Sequence, residues 1–501
     1  MVTVRIPNVL RTYTAQTELV EVEGSTIDEA LGSLVSTYPD LRTRILDGSE
    51  NLHPHLMVFC RDVAVAREDW ASTNVTKEDQ ITVLIAISGG AYDVRMRGFR
   101  ERATVETARA FALSGVGPLP GEAVRVTECA GRVLSSDVLS EVDVPPFRRA
   151  TMDGFAVCAE DTYGASAYDP VILDLIGSSM PGRDEGDPVS PGLSGRIMTG
   201  APVPEGADAV LRAEDAAEKN GHLEVIAPVA RAKNIGRIGE DVAIGATVLS
   251  KGRRVLPQDA GLLASIGQDP VQVHRRPVVR IIVSGDELLP PGDQPDGFRI
   301  VDSNSPMLAA LVIRDGGLPE IARLPDDEDA MRQALARPGA DVIVTAGAAS
   351  VGIEDRVPLL VDELGELLVH GVTMRPSSPT GVGRIEGAPT LLLPGNPVSC
   401  LVAYDFFAGP VIRVMGGRPE AWPYPSTTLP LRKRLVSQIG RTDYARVVVA
   451  DGEVEPVAIS GASVLSSVTR ASGFVVVPAG LEGYGEGAAV EVHLYEPVGE
   501  A

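Results

Sequence analysis

Aromatic residues are scarce in this chain, 4% of 501 positions, so its cores have to be filled by Val, Leu, Ile and Ala. The 44% hydrophobic content is enough for several such cores, and at roughly 150 residues per domain the length points to about three or four of them. Cysteine is rarer still: Cys60, Cys129, Cys158 and Cys400 are scattered and form no C-x-x-C pair. That excludes a disulfide framework or a zinc knuckle and suits a reducing cytoplasm. Positive charge is short as well. With 45 Lys and Arg against 68 Asp and Glu the net charge is −23, which opposes general binding to nucleic acid or to an anionic membrane. A local anion pocket remains compatible with it. No charged leader precedes an apolar run, and no stretch reads as the ~20 apolar residues of a spanning helix, so a soluble cytoplasmic protein is expected. There is no G-x-x-x-x-G-K-[ST] loop, no G-x-G-x-x-G after a strand and no G-x-S-x-G elbow, and the six histidines are dispersed.

What is present changes character along the chain. Residues 1–90 read as a small α+β unit. "VTVRI" and "ELVEVEG" alternate as strands, and Thr26 with Glu29 marks a helix start from which Ile27, Leu31, Leu34 and Val35 recur on one face. "HLMVFCRDVAV" and "DQITVLIAI" supply later strands, and the segment closes on Gly89-Gly90. This ββα-then-ββ order with a terminal diglycine resembles the ubiquitin-like (β-grasp) sulfur carriers of the MoaD/ThiS type. A connector with one helix, "TVETARAFALSGV", follows, and then a Gly- and Pro-rich, mostly β region. From about 276 each segment opens with a continuous aliphatic run, "RPVVRIIVSGDELLPPG", "ADVIVTAGAASVG" and "APTLLLPGNPVSC". Such runs suit strands buried on both faces of a doubly wound α/β sheet. The end of the chain returns to short strands. The domain assignment is therefore 1–90 β-grasp, 91–145 with 241–275 a linker subdomain, 146–240 a β-rich subdomain, 276–418 a doubly wound α/β domain, and 419–501 a small C-terminal β domain.

Open α/β sheets bind ligands at the carboxyl ends of their strands. Three runs here end in small, polar turns: Ser284-Gly285-Asp286-Glu287, Thr345 through Gly347 to Ser350 and Gly352, and Pro394-Gly395-Asn396-Pro397. Glycine lets a backbone come close to a ligand, and the helix after each turn presents N–H groups to an anion, with Asn396 as N-cap and Pro397 at the first helical position. Asp286, Glu287 and Asp355 join these turns, and Asp302 and Asn304 lie after "FRIVD". Carboxylates beside an anion cradle make chemical sense if a divalent cation bridges them, and magnesium prefers such oxygen ligands.

Eight strings occur in one order: "PPFRRATMDGFAV", "MTGAPVPEGADAV", "GEDV", "SGDEL", "DSN", "TAGAASVGIEDR", "LLPGNPVSC" and "GRTDYARV". Together they resemble the MoeA family of molybdopterin molybdenumtransferases over roughly 97–495. The resemblance implies a homodimer with a MogA-like α/β domain that inserts molybdate into adenylated molybdopterin, releasing AMP, with Mg2+. It implies as partners the adenylyltransferase, the large subunit of molybdopterin synthase and the enzyme that activates a sulfur carrier. By the same resemblance Asp153 is an inter-subunit carboxylate, and Thr199 and Gly200 contact the oxyanion. Asp286 and Asp355 act on metal, phosphate or water. Ser284, Gly285, Glu287, Asn304, Thr345, Gly347, Ser350 and Gly352 line the pterin and phosphate pocket, with Pro394, Gly395, Asn396 and Pro397 opposite. Arg441 and Ser466 come from the C-terminal domain.

Two departures stand out. The family's K-P-G-K-P element reads Arg375-Pro376-Ser377-Ser378-Pro379, so Ser378 removes a full positive charge and Arg375 exchanges a point charge for a planar fork. Ala346 puts a methyl where the family has glycine. A cation such as Arg384 is one candidate to restore the lost charge; the alternatives are a paralogue with altered oxyanion preference, a pterin-binding scaffold without turnover, or a protein that is primarily a sulfur-carrier fusion. Gly89-Gly90 also admits two readings, a flexible joint or a cleavage point that would free a glycyl carboxylate at Gly90.

Overall fold

The computed structural model describes residues 1–6, 8–45, 56–61, 63–65, 69–85, 102–347, 356–458 and 461–496. Residues Gly89, Gly90, Ser350, Gly352 and Asp355 lie outside them. Contacts divide the chain into 120–274 and the remainder, and the two are described separately.

At the N-terminus, Val2–Arg5 pairs antiparallel with Leu19–Val22 and parallel with Gln80–Ile85, which in turn pairs antiparallel with Leu56–Cys60. The helix Ile27–Thr37 buries Ile27, Leu31, Leu34 and Val35 against this sheet, as its periodicity predicts. Thr26 accepts from the Glu29 N–H, but the Glu29 carboxylate reaches Ser25, whose N–H and hydroxyl donate to it. The reciprocal cap is thus spread over Ser25 and Thr26.

Residues 120–274 form one β-rich body, which joins the 146–240 segment to parts of both stretches assigned to the linker subdomain. A six-stranded sheet runs Ala209–Arg212, Gly154–Val157, Leu193–Ile197, Val171–Ser179, His222–Val225, Ala216–Lys219. The two flanking stretches close on each other through Gly121–Val124 with Val271–His274, over a core of Leu134, Leu249, Leu263 and Val271.

The α/β domain carries a six-stranded sheet. Its strands are β1 (Val278–Ser284), β2 (Leu318–Leu324), β3 (Val342–Ala346), β4 (Gly365–His370), β5 (Gly381–Ile385) and β6 (Ala388–Leu393). Its helices are α1 (Asn304–Arg314), α2 (Glu328–Ala336), α3 (Val357–Leu364) and α4 (Pro397–Ala403). The order is β2-β1-β3-β6-β5-β4. The first four strands in this order are parallel, while β5 runs antiparallel to both β6 and β4. Doubly wound sheets commonly carry such antiparallel edges. The order reverses at β1, with β2 on one side and β3 on the other, which makes the β1/β3 junction the switch point where ligands bind. In "LPDDEDA", Asp327 caps α2 by accepting from the Ala330 N–H at 2.7 Å.

The connector helix, Val105–Leu113, is in fact a piece of this domain. Its Val105, Ala108, Phe111 and Ala112 are buried in one core with Val279, Ile281 and Val283 of β1, Val344 of β3 and Leu391 of β6. An apolar helix next to a linker has no periodicity that says which core it joins. The helical run Pro397–Met415 is long and apolar enough to cross a membrane, contrary to the reading of the sequence, but 89% of it is buried inside the protein. Its Asp405 and Arg413 are buried and paired, Asp405 with Arg314 and Tyr424, Arg413 with Asp315.

The C-terminal domain is a small β structure in which Thr442–Ala450 is central, pairing with Gly473–Val477 and Glu453–Ala458. One cluster of aromatics forms where it meets Pro397–Met415: Phe474 stacks on Tyr444 at 4.3 Å, and Trp422 lies edge-on to Phe406 and Phe474. Because Phe111 is buried in the α/β core, Phe111→Ala should cost about 3–5 kcal/mol. Urea unfolding of the full chain should show the loss in the transition of the α/β domain, with the N-terminal domain unchanged.

Candidate active site at the carboxyl edge of the sheet

The parallel register brings the three predicted turns together. Ile282 lies opposite Thr345 and Val283 opposite Ala346, while Ala346 lies opposite Leu393. Ser284, Gly347 and Pro394 therefore leave the sheet side by side. Gly347 has φ +99, and a Cβ there would sit 3.1 Å from the Ser284 carbonyl oxygen; one on Gly395 would touch the Gly347 Cα at 3.4 Å. At Gly347 the left-handed backbone and the close Ser284 carbonyl favour glycine, whereas a Cβ on Gly395 would make an ordinary contact. Asn304, the first residue of α1, donates from Nδ2 to the Gly395 carbonyl at 2.7 Å. Four predicted positions on four different elements are thus in mutual contact or adjacent.

The polar atoms at this rim are unusual. Ser284 Oγ, Thr345 Oγ1 and Asn304 Oδ1 are buried, and none has a hydrogen-bond partner among the described residues. Buried oxygens of this kind are completed in native structures by a ligand, a water or a further side chain. Beside them, Asp286 and Asp326 are joined reciprocally, the N–H of each donating to the other's carboxylate at 3.2 Å. The sequence gives no sign of Asp326 as a site residue, because "LPDDEDA" reads as a solvated helix start. Gly285 is covered by Glu287, whose carboxylate would lie 2.6 Å from an added Cβ. All these side chains offer oxygen atoms, the set that suits Mg2+, but no group of three metal-ligating side chains forms among the described residues. Asp355, the further predicted ligand, lies outside them.

Some expectations change. The helix N–H groups expected to face an anion are already used: Val398 and Ser399 donate to the Ala462 carbonyl, and Ser305 donates to Asp302. Asn396 is the N-cap of α4 with Pro397 after it, as expected, but its side chain makes no capping bond. Ala346 is buried in the apolar core rather than at the rim, so its methyl packs instead of crowding a ligand. Arg384 does not restore the missing charge either. It donates to the carbonyls of Phe111 and Ser114, which ties it to the end of the connector helix.

Arg375 and Arg441 meet on Asp443, the aspartate of "GRTDYARV", which nothing in the sequence singles out. The buried Asp443 pairs with Arg375, accepts from Arg441 Nε at 3.0 Å and from the Ser437 hydroxyl at 2.8 Å. Ser377 holds φ +83, a left-handed conformation that favours glycine, and anchors its hydroxyl on the Ser399 carbonyl at 2.6 Å. Ser378 Oγ donates to the Val372 carbonyl. Ser466 begins a short helix and its carbonyl accepts from Arg470; among the described residues it bonds to no other predicted position, although the carbonyl of Ala462, four residues before it, caps α4.

In the separate body 120–274, two predicted residues are bonded. The N–H and hydroxyl of Thr199 both donate to Asp153 Oδ1, at 2.7 and 2.8 Å. Gly200 follows with φ +85, its N–H on the Ala150 carbonyl. "TMDGF" and "MTGAP" thus form one unit.

Comparison with known families accounts for nearly the whole chain. Residues 103–267 match the MoeA N-terminal region (domain I and II), 280–414 the family described as "Probable molybdopterin binding domain", 428–495 the MoeA C-terminal region (domain IV), and 4–90 the ThiS family. The molybdopterin molybdenumtransferase of Bacillus subtilis is 34% identical over 392 residues, 74% of this chain and 89% of the relative. This chain belongs to the MoeA family. Molybdopterin molybdenumtransferase 2 of Mycobacterium tuberculosis is 37% identical over 346 residues, 65% of this chain and 82% of the relative. The crystal structure of the molybdopterin biosynthesis MoeA protein from Pyrococcus horikoshii superposes with TM-score 0.68 at 31% identity, covering 79% of this chain and all of the other. As a MoeA-type molybdopterin molybdenumtransferase with a ThiS-family domain at its N-terminus, it works in molybdenum cofactor biosynthesis.

The bonds from Thr199, backbone first, hold the Asp153 carboxyl below the ordinary aspartate range. A carboxyl depressed in the folded state contributes stability that is complete above its unfolded pKa and is lost as the pH falls through the folded one. An NMR titration should place the Asp153 midpoint below that of a free aspartate, and Thr199→Ala should move it only part of the way back, since the N–H remains.

Proposed function

We propose that this chain inserts molybdate into adenylated molybdopterin and releases AMP, with the reaction at the rim formed by Ser284, Asn304, Thr345, Gly347 and Gly395. The observation that carries the reading is the set of three buried oxygens without partners among the described residues. The hydroxyls of Ser284 and Thr345 are donors for phosphate oxygens, whereas Asn304 Oδ1 can only accept and so takes an N–H of the pterin. Gly347 and Gly395 leave room for the phosphate to approach the backbone. Asp286, with Asp326 bonded to it, would hold the magnesium, which supplies charge neutralisation to the phosphoanhydride when bound. Asp286 also accepts a proton from the water that attacks phosphorus, and the anhydride bond to AMP then breaks.

A second reading has its own support. Both family-position cations that remain, Arg375 and Arg441, are committed to Asp443, and Ser378 has no charge. A pterin-binding scaffold without turnover fits that arrangement. Molybdate-dependent release of AMP decides. The parent should release AMP, Asp286→Ala should lower the rate by about a hundredfold, and Ser378→Lys should raise it by roughly tenfold through one recovered charge-assisted contact. Pterin binding without AMP release in both the parent and Ser378→Lys leaves only the scaffold.

The ThiS-family segment adds a further step to the proposal. A sulfur carrier works through a free glycyl carboxylate, activated as an acyl-adenylate, and the amide bond from Gly90 to Ala91 blocks this. Cleavage after Gly90 would release both proteins of one pathway from one chain. Mass spectrometry of the protein from its native host should then find a fragment ending at Gly90; full-length chain alone would exclude processing.

A further inference from the structure

Beside the rim, where β1 and β2 end, lies a concavity of about 270 Å³ lined by Gly285, Asp286, Leu288, Arg323, Leu324 and Pro325 among others. A phosphate entering it meets the Asp286 carboxylate, a like charge, and needs a cation nearby. Arg323 provides one. It lies opposite Val283 in the β1–β2 register, one residue from the end of β2. Its side chain is 46% exposed, and its ion pair with Asp302 is long, 3.8 Å. Asp302 is itself occupied, accepting from the N–H and the hydroxyl of Ser305. By contrast, Arg375 and Arg441 are held tightly by Asp443, and Arg384 by main-chain carbonyls.

We infer that Arg323 binds the phosphoanhydride of the substrate at the Asp286 end of the rim and sets the affinity for it. This rests on the reading that a phosphorylated pterin occupies the edge of the sheet. At 3.8 Å the guanidinium fork makes no hydrogen bond to the buried Asp302, whose two oxygens stay bonded to Ser305, so the fork can turn to bind two phosphate oxygens at once. Arg323 does not stand where Ser378 has lost a charge. Ser378 precedes β5, and β1, β3 and β6 separate β2 from β5. In this chain the positive charge reaches the substrate from the opposite side of the sheet.

The test uses the full chain and inorganic pyrophosphate as the probe, titrated calorimetrically without added metal. Arg323→Ala should weaken its binding roughly tenfold to a hundredfold, the range for one charge-assisted contact. Arg323→Lys should recover part of the loss, and Arg337→Ala, an equal change of charge just after α2, should bind like the parent. In turnover, Arg323→Ala should raise KM for the adenylated pterin by a similar factor with kcat little changed. Equal binding by the parent and Arg323→Ala, or no binding by the parent, overturns the assignment. Binding that depends on Arg323 in a chain that releases no AMP supports the anion site while refuting the reaction.

Discussion

Parallel pairing of β1, β3 and β6 is the constraint from which the site follows. Once Ile282 lies opposite Thr345 and Ala346 opposite Leu393, the three strands must end level, and their following turns must share one edge. Burial on both faces holds the strands in that register. Val279, Ile281 and Val283 pack with Val344 and Leu391 on one face, and Ile282 with Ile343 and Leu392 on the other. A slip of one residue would exchange the two faces and move Thr345 away from Ser284. Gly347 then does the fine adjustment: it holds φ +99, and a side chain there would press on the Ser284 carbonyl at 3.1 Å.

Electrostatics divides this rim into two sides. On the β5 side, the positive charges of Arg375 and Arg441 are bound to a buried aspartate, which stabilises the junction between the α/β and C-terminal domains. A buried carboxylate needs such partners, because unpaired it would cost several kcal/mol. On the β2 side, Asp286 and Asp326 are exposed and Arg323 is loosely paired. In a chain of net charge −23 an anionic substrate depends on local cations, so where they are free matters more than how many there are.

Much of the site is legible in the letters. One glycine-rich turn after an aliphatic run is most often only a turn; Ser284, Gly347 and Gly395 stand out because three such turns fall at one sheet edge with Asn304 and carboxylates nearby, and Ser284, Gly347, Gly395 and Asn304 do meet. Asp153 and Thr199 stand out as well, and they are bonded. Asp326 and Asp443 do not. Each sits in a distinctive string, but a carboxylate in a helix start or a strand has no local signal of the partner it will meet 40 or 68 residues away. Ala346 looks like an obstruction in the letters, because periodicity cannot say which way a residue of a buried strand turns when both faces are apolar.

The sequence by itself determined the family, the kinds of domain and the chemistry available at each turn, since these depend on local patterning and on residue type. Only the tertiary structure decided which of those groups remain free to act. Arg375, Arg384 and the first N–H groups of α4 are spent on partners far along the chain, while three oxygens at the rim find none among the described residues. Whether a polar group is satisfied is a property of its neighbours in space, and the chain order does not contain it.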